Sequence, residues 1–246
     1  MGNEEFALPG IGTLLNCVGI LIGGILGMLF GRFIKQRVQD ALTTVCGICV
    51  LFIGIAGTLE GMLRVTQDRV SSNGTMLIIG CLALGTLIGE LINIEEGFER
   101  FGRWLKEKTG NAKDAGFVNA FVTASLTVCI GAMAIVGAIQ DGLTGNYATL
   151  ATKAILDLII IMVMTSAMGK GCIFSAIPVA LLQGSVTLLS GLLRPMMTDA
   201  ALENLSMIGS ILIFCVGINL VWGKKVRVAN MLPAVILAVI AVFLPF

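Results

Sequence analysis

Histidine is missing from all 246 residues. Its absence removes Ser–His and Cys–His nucleophilic pairs, imidazole metal ligands and imidazole proton relays, which closes most routes to hydrolysis within a membrane. Charge is nearly as scarce. Asp, Glu, Lys and Arg supply 13% of the chain and sum to +1, a balance that gives no hold on nucleic acid. No G-x-x-x-x-G-K-[ST] phosphate loop is present, because Gly169-Lys170-Gly171 lacks both the upstream glycine and a following hydroxyl residue. That argues against ATP-driven transport by this chain alone. The 7 cysteines lie inside or at the ends of apolar segments, where the thiol behaves as a small hydrophobe. Cys46-x-x-Cys49 has neither a second pair nor a histidine to complete a metal site. No disulfide framework, cofactor or enzymatic activity is expected.

What the chain has in excess is apolar length. Hydrophobic residues make up 57% and the mean hydropathy is +0.98, far above an ordinary soluble domain. Crossing about 30 Å of hydrocarbon takes roughly 20 apolar residues. Eight stretches approach that length: 11–31, 41–59, 74–92, 117–139, 147–168, 171–193, 204–222 and 230–246. The first, third, fifth and seventh connections between them hold Arg32, Lys35 and Arg37, then Arg100, Arg103, Lys106, Lys108 and Lys113, then Lys170, then Lys224, Lys225 and Arg227. The other side holds only Arg64, Arg69 and Arg194. A miscounted span would scramble this alternation, since every later connection would change sides. The expected fold is therefore an all-α polytopic membrane protein, with eight transmembrane helices in a single domain over residues 1–246. Because Lys and Arg favour cytoplasmic loops, it is expected in a bacterial inner membrane with both termini outside.

The one long hydrophilic block, at about residues 94–114, spaces Ile94, Phe98, Phe101, Trp104 and Leu105 as a helix does. It is read as a cytoplasmic amphipathic helix at headgroup level, anchored by Trp104. Glycines recur along the first span (Gly19, Gly23, Gly24, Gly27, Gly31), a spacing that lets helices approach closely in lipid. In the fourth span CIGAMAIVGAIQDGLTGN mixes Gly131 and Gly137 with polar residues, which fits either such packing or a break whose backbone groups face a solute. Asn16–Leu26 aligns weakly with Gln183–Leu193, and Asp40–Ile55 with Glu203–Ile218. On that alignment spans one to three repeat, inverted, as spans six to eight around a central hairpin of spans four and five, an architecture recurrent in secondary transporters.

That hairpin carries the chemistry. Lys153 and Asp157 stand four residues apart, a helical spacing that allows an ion pair. At about 1.5 Å rise per residue, they lie roughly 9 and 15 Å into the fifth span. Each such charge costs about 2.5–3.5 kcal/mol at mid-membrane before pairing. Asp157 is therefore read as the charged ligand of a solute or ion, Lys153 as its counter-charge, and Gln140, Asp141, Gln183 and Asn16 as polar lining. The structural alternative is a Lys–Asp pair that merely pins helices together.

The runs CIGAMAIVGAIQDGLTGN, KAILD and FSAIPVALLQGSVTLL, with GTLLN at Gly12–Asn16 and RVANMLPA at Arg227–Ala234, resemble the YqgA/YdfK-like family of bacterial membrane proteins, a domain of unknown function. The resemblance covers essentially the whole chain from Gly10. It implies a polytopic inner-membrane protein suspected of transport, and no substrate. The expected partners are the lipid bilayer, a small solute or ion, and further copies of the chain in a homo-oligomer. The expected function is secondary transport; a passive oligomeric channel and a non-transport assembly or sensor protein are the alternatives.

Overall fold

A computed structural model describes residues 9–66 and 69–243. In chain order it forms α1 (Ile11–Gly31), α2 (Gln36–Met62), a hairpin of β1 (Leu63–Thr66) and β2 (Arg69–Ser72), α3 (Thr75–Ile92), α4 (Ile94–Lys108), α5 (Phe117–Cys129) and α6 (Ala132–Thr144). There follow α7 (Ala148–Met168), α8 (Ala176–Leu188), α9 (Ser190–Leu193), α10 (Asp199–Trp222) and α11 (Pro233–Ile240). A 3-10 turn, Lys170–Ser175, leads into α8, and another, Val228–Met231, precedes α11. The protein is an all-helical, multi-pass membrane protein, apart from the short antiparallel hairpin in register Leu63 to Ser72 and Thr66 to Arg69.

Among the described residues, six helical segments are long and apolar enough to cross a bilayer: α1, α2, α3, α7, Lys170–Leu188 and α10. The fourth and eighth expected spans differ from the sequence reading. The fourth is broken into two helices of 13 residues, α5 and α6, bent by 62°. At about 1.5 Å per residue each half is roughly 20 Å long, so neither crosses alone. Gly131 makes the break: its φ of 153° and ψ of 146° belong to a region open essentially to glycine, and no helix continues through it. The eighth expected span forms the shorter helical run Val228–Phe243; residues 244–246 lie outside the described part.

Packing follows the glycines. The carbonyls of Ala154, Leu158, Met162 and Ser166 lie against Gly19, Gly23, Gly27 and Gly31, so α1 and α7 run parallel with their backbones in contact. A Cβ at Gly19 would sit 2.7 Å from the Ala154 oxygen. In lipid, where no hydrophobic effect drives helices together, such close van der Waals approach supplies much of the attraction. The pair α2 and α10 is antiparallel: Gly47 meets Leu220, Gly54 meets Phe214, Gly217 meets Leu51, and Gly61 meets Met207. Helices α3 and α11 are also antiparallel, through Gly85 on Ala234 and Gly89 on Asn230.

These registers gather the connections at two ends. Residues 32–35, 93–116, 169–171 and 223–228 share one end, tied by Gly171 on Phe117, Lys224 on Glu95 and Arg227 on Glu90. It is the basic end. The hairpin, Asp141, Arg194 and the Arg64–Glu203 ion pair (2.7 Å) lie at the other. Helix α4 lies across the basic end with Leu105 buried, Phe101 against Phe121 and Trp104 half exposed. Its first turn is fixed by Asn230, whose Oδ1 accepts the Glu95 N–H (2.7 Å), and by the Glu95 carboxylate, which accepts the Ala229 N–H (3.2 Å).

Candidate functional site

Lys153 Nζ donates to both carboxylate oxygens of Asp157, at 2.8 and 2.6 Å. The residues are only 8% and 3% exposed, so the pair is nearly dry. The helical four-residue spacing dictates the contact, and the register of α7 on α1 sets its depth. Leu158 lies level with Gly23, near the middle of α1. Taking two charges from water is expensive, and mutual attraction offsets that cost only with good geometry and further hydrogen bonds.

Two neutral amides stand beside the pair. Asn16 of α1 donates through Nδ2 to Gln183 Oε1 of α8 at 3.3 Å, and it also flanks the Asp157 carboxylate. Both amides are fully buried, yet Asn16 Oδ1 and Gln183 Nε2 have no partner. Exchanging O and N in both groups would still leave one free acceptor and one free donor. A buried polar atom without a partner costs on the order of 1–3 kcal/mol, so two of them beside the ion pair leave free hydrogen-bonding capacity there. Further unpartnered atoms lie on the two helices that carry the amides, Thr13 Oγ1 on α1 and Thr187 Oγ1 on α8, and on α6, Asp141 Oδ1. They extend a polar lane from the amides toward the end of the molecule opposite the basic one.

The break in the fourth span borders this site. Cys129, the last residue of α5, is close enough to Lys153 and Asp157 for both charges to act on it. A helix ending there leaves its final carbonyls without intrahelical partners, and the helix restarting at Ala132 presents free N–H groups. Broken helices of this kind expose backbone dipoles to a buried solute. From the basic end, a cavity of about 270 Å³ runs inward between α4, α5 and α10, past Glu95, Glu99, Lys224, Asn119 and Thr123 to Leu126, one turn from Cys129. Burial pushes the Lys224 ammonium down, but hydrogen bonds to Glu95 and Glu99 outweigh it and hold the group above its ordinary value.

Of the six residues singled out in the sequence, four converge: Lys153, Asp157, Asn16 and Gln183. Asp141 lies apart. Its Oδ2 accepts the N–H groups of Gly10 and Gly12, both at 3.1 Å, so a carboxylate of α6 caps the positive end of α1. Gln140 joins α6 to α7 by accepting from Thr149 Oγ1 at 2.7 Å. Sequence reasoning overlooked Thr13 and Thr187. Each stands one turn from an amide of the cluster, Thr13 before Asn16 and Thr187 after Gln183, and that spacing was the available signal. The cavity residues carried no such signal, because α4 and α10 are remote in sequence.

A model of one protein family, described as "Protein of unknown function (DUF554)", matches residues 11–243. The chain belongs to the DUF554 family. It is 29% identical over 232 residues to the "Uncharacterized membrane protein YdfK" of Bacillus subtilis (strain 168), covering 94% of this chain and 95% of that protein. It is 26% identical over 232 residues to the "Uncharacterized protein YqgA" of Escherichia coli (strain K12), covering 93% and 94%. No solved structure matches the chain. The DUF554 match takes in both halves of the broken span and all four converging residues.

Proposed function

We propose that this DUF554 protein is a secondary transporter of a small solute or ion across the bacterial inner membrane, and not an enzyme. The observation that carries the reading is the buried Lys153–Asp157 pair toward the middle of α7, flanked by two amides with unused hydrogen-bonding atoms and a broken helix. Packing alone is better served by apolar side chains. The basic end faces the cytoplasm, both termini lie outside, and the cavity past Lys224 is the inward-facing vestibule. Asp157 is the charged ligand and Lys153 its counter-charge. Asn16 and Gln183 line the site, while Asp141 and Gln140 hold its outer closure.

The inverted repeat expected from the sequence goes with the carrier reading. Residues on a two-fold axis touch their own equivalents. Asn16, matched to Gln183, is hydrogen-bonded to it. Gly54, matched to Gly217, packs on Phe214 while Gly217 packs on Leu51, the residue matched to Phe214. Transporters built on such repeats place substrate at this interface and alternate access by moving one half against the other. A passive pore would be continuous, whereas Ile20, Ile161 and Val128 are buried together in one apolar cluster of α1, α5 and α7.

The test is flux in liposomes across a panel of alkali salts, anions, sugars and amino acids. At least one solute is expected to accumulate against its gradient, and Asp157→Asn is expected to abolish that flux with the protein still folded. Unchanged flux in the variant, or no flux for any solute, overturns the reading.

A further inference from the structure

We propose that the cavity at the basic end is a binding site for a small primary alkylammonium solute, with Lys224 as a tethered stand-in for its head group. The inference rests on the transport reading above and gives its solute a chemical class. Lys224 already holds such a head group in place. Its ammonium bridges two carboxylates of α4, Glu95 at 2.8 Å and Glu99, at the mouth of the cavity. The carboxylates are the fixed part: the Glu95 side chain is 7% exposed and also accepts the Ala229 N–H. The ammonium is the movable part, 48% exposed on a flexible four-carbon stem beyond the end of α10. When Lys224 swings into water, the buried Glu95 carboxylate is left without a cation, a costly state. A solute ammonium brings the same charge and the same three N–H donors to the place that Lys224 vacates.

Behind the mouth, the lining sets the rest of the solute. Val118, Val122 and Leu126 recur along one face of α5, and Val216 and Val228 join them around the cavity, a wall suited to an alkyl chain. Its volume of about 270 Å³ lies just below the range of about 300–1,000 Å³ that holds drug-sized ligands, so the chain is short. Asn119 and Thr123, one turn apart on α5, supply a polar stripe. The Thr127 hydroxyl donates back to the Thr123 carbonyl at 2.8 Å, whereas Thr123, nine-tenths buried, makes no such bond among the described residues and keeps its hydroxyl for an occupant. Other classes fit less well. An acid would meet two carboxylates of its own sign. A bare metal ion gains nothing from the apolar wall, and among the described residues no three Cys, Asp or Glu side chains converge on one. Arg103 also reaches Glu99, at 3.4 Å, but it is shared with Glu96 at 2.8 Å and half exposed, so water screens it.

The experiment is calorimetric titration of the purified full chain in detergent with hexylammonium, hexanol and hexyltrimethylammonium. Hexylammonium, charged at pH 7 as lysine is, should bind. The other two should bind at least 10-fold more weakly, since one lacks the charge and the other the N–H donors. Butylammonium should bind about 15-fold more weakly than hexylammonium, because each buried methylene contributes about 4-fold. Glu99→Gln should weaken hexylammonium at least 10-fold, and Lys224→Ala should tighten it at least 10-fold by removing the tethered competitor. Equal binding of hexanol, binding unchanged in Glu99→Gln, or binding no tighter in Lys224→Ala overturns the proposal. The head-group and chain-length series uses only the unaltered protein, so it decides the matter even where a variant fails to fold. If no amine binds while an Asp157-dependent flux of another solute persists, the amine site falls and transport stands. If amines bind as described and no Asp157-dependent flux of hexylammonium or any other solute is found, the site stands and the transport reading falls.

Discussion

At the residue scale, the pair separates two roles that a single substitution confounds. Asp157→Leu strands a buried ammonium and should destabilise the fold by about 3–5 kcal/mol. Lys153→Met combined with Asp157→Leu removes both charges and should recover most of that loss without recovering transport. Unfolding of the reconstituted variants measures the first effect and flux the second; a double variant that transports normally would make the pair decorative. The ion pair was legible in the sequence because its four-residue spacing is local. Asp141 was legible as a polar residue near a span end, but not as the cap of α1. Its partners, Gly10 and Gly12, are 131 and 129 residues away, a contact only tertiary packing creates.

At the element scale, glycine has two uses here that the same residue type disguises. Gly23 brings α1 onto the Leu158 carbonyl, so Gly23→Ala should cost about 1–3 kcal/mol by forcing the helices apart. Gly80 of α3 has nothing within contact of an added methyl, so Gly80→Ala should be neutral or stabilise by up to about 1 kcal/mol. Equal effects of the two substitutions in an unfolding assay would contradict this division. The helices α1, α2, α3, α7 and α10 followed directly from apolar length. The break in the fourth span was legible only as one of two readings, because the glycines of CIGAMAIVGAIQDGLTGN fit packing as well as a break; its place at Gly131 came from the structure.

The corner at α4 makes a pH prediction of the same scale. A raised Lys224 value means its pairing with Glu95 and Glu99 stabilises the folded corner below the ordinary value of 10.5. The contribution disappears as pH rises through the folded value. In Trp222→Phe protein, fluorescence of Trp104 on α4 should therefore hold steady from about pH 7 to 10 and change above it. A transition well below that range would contradict the assignment.

At the scale of the whole molecule, the segregation of cations was the most dependable sequence signal. The helix registers reproduce it, since every strongly basic connection arrives at the end shared by α4. What the sequence could not convey was which spans touch. The parallel contact of α1 with α7 brings Asn16 to Asp157, and no linear pattern announces it. The central claim is that this buried cluster lies on a path open in turn to each side of the membrane. Its most direct test is labelling of cysteines placed singly at Thr123 and Thr187 in a background without native cysteines, using a membrane-impermeant thiol reagent. Thr123→Cys should react from the cytoplasmic side and Thr187→Cys from the opposite side, each more slowly when the transported solute is present. Failure of both positions to react from either side would mean that the pair is sealed in dry protein and serves only to hold helices together.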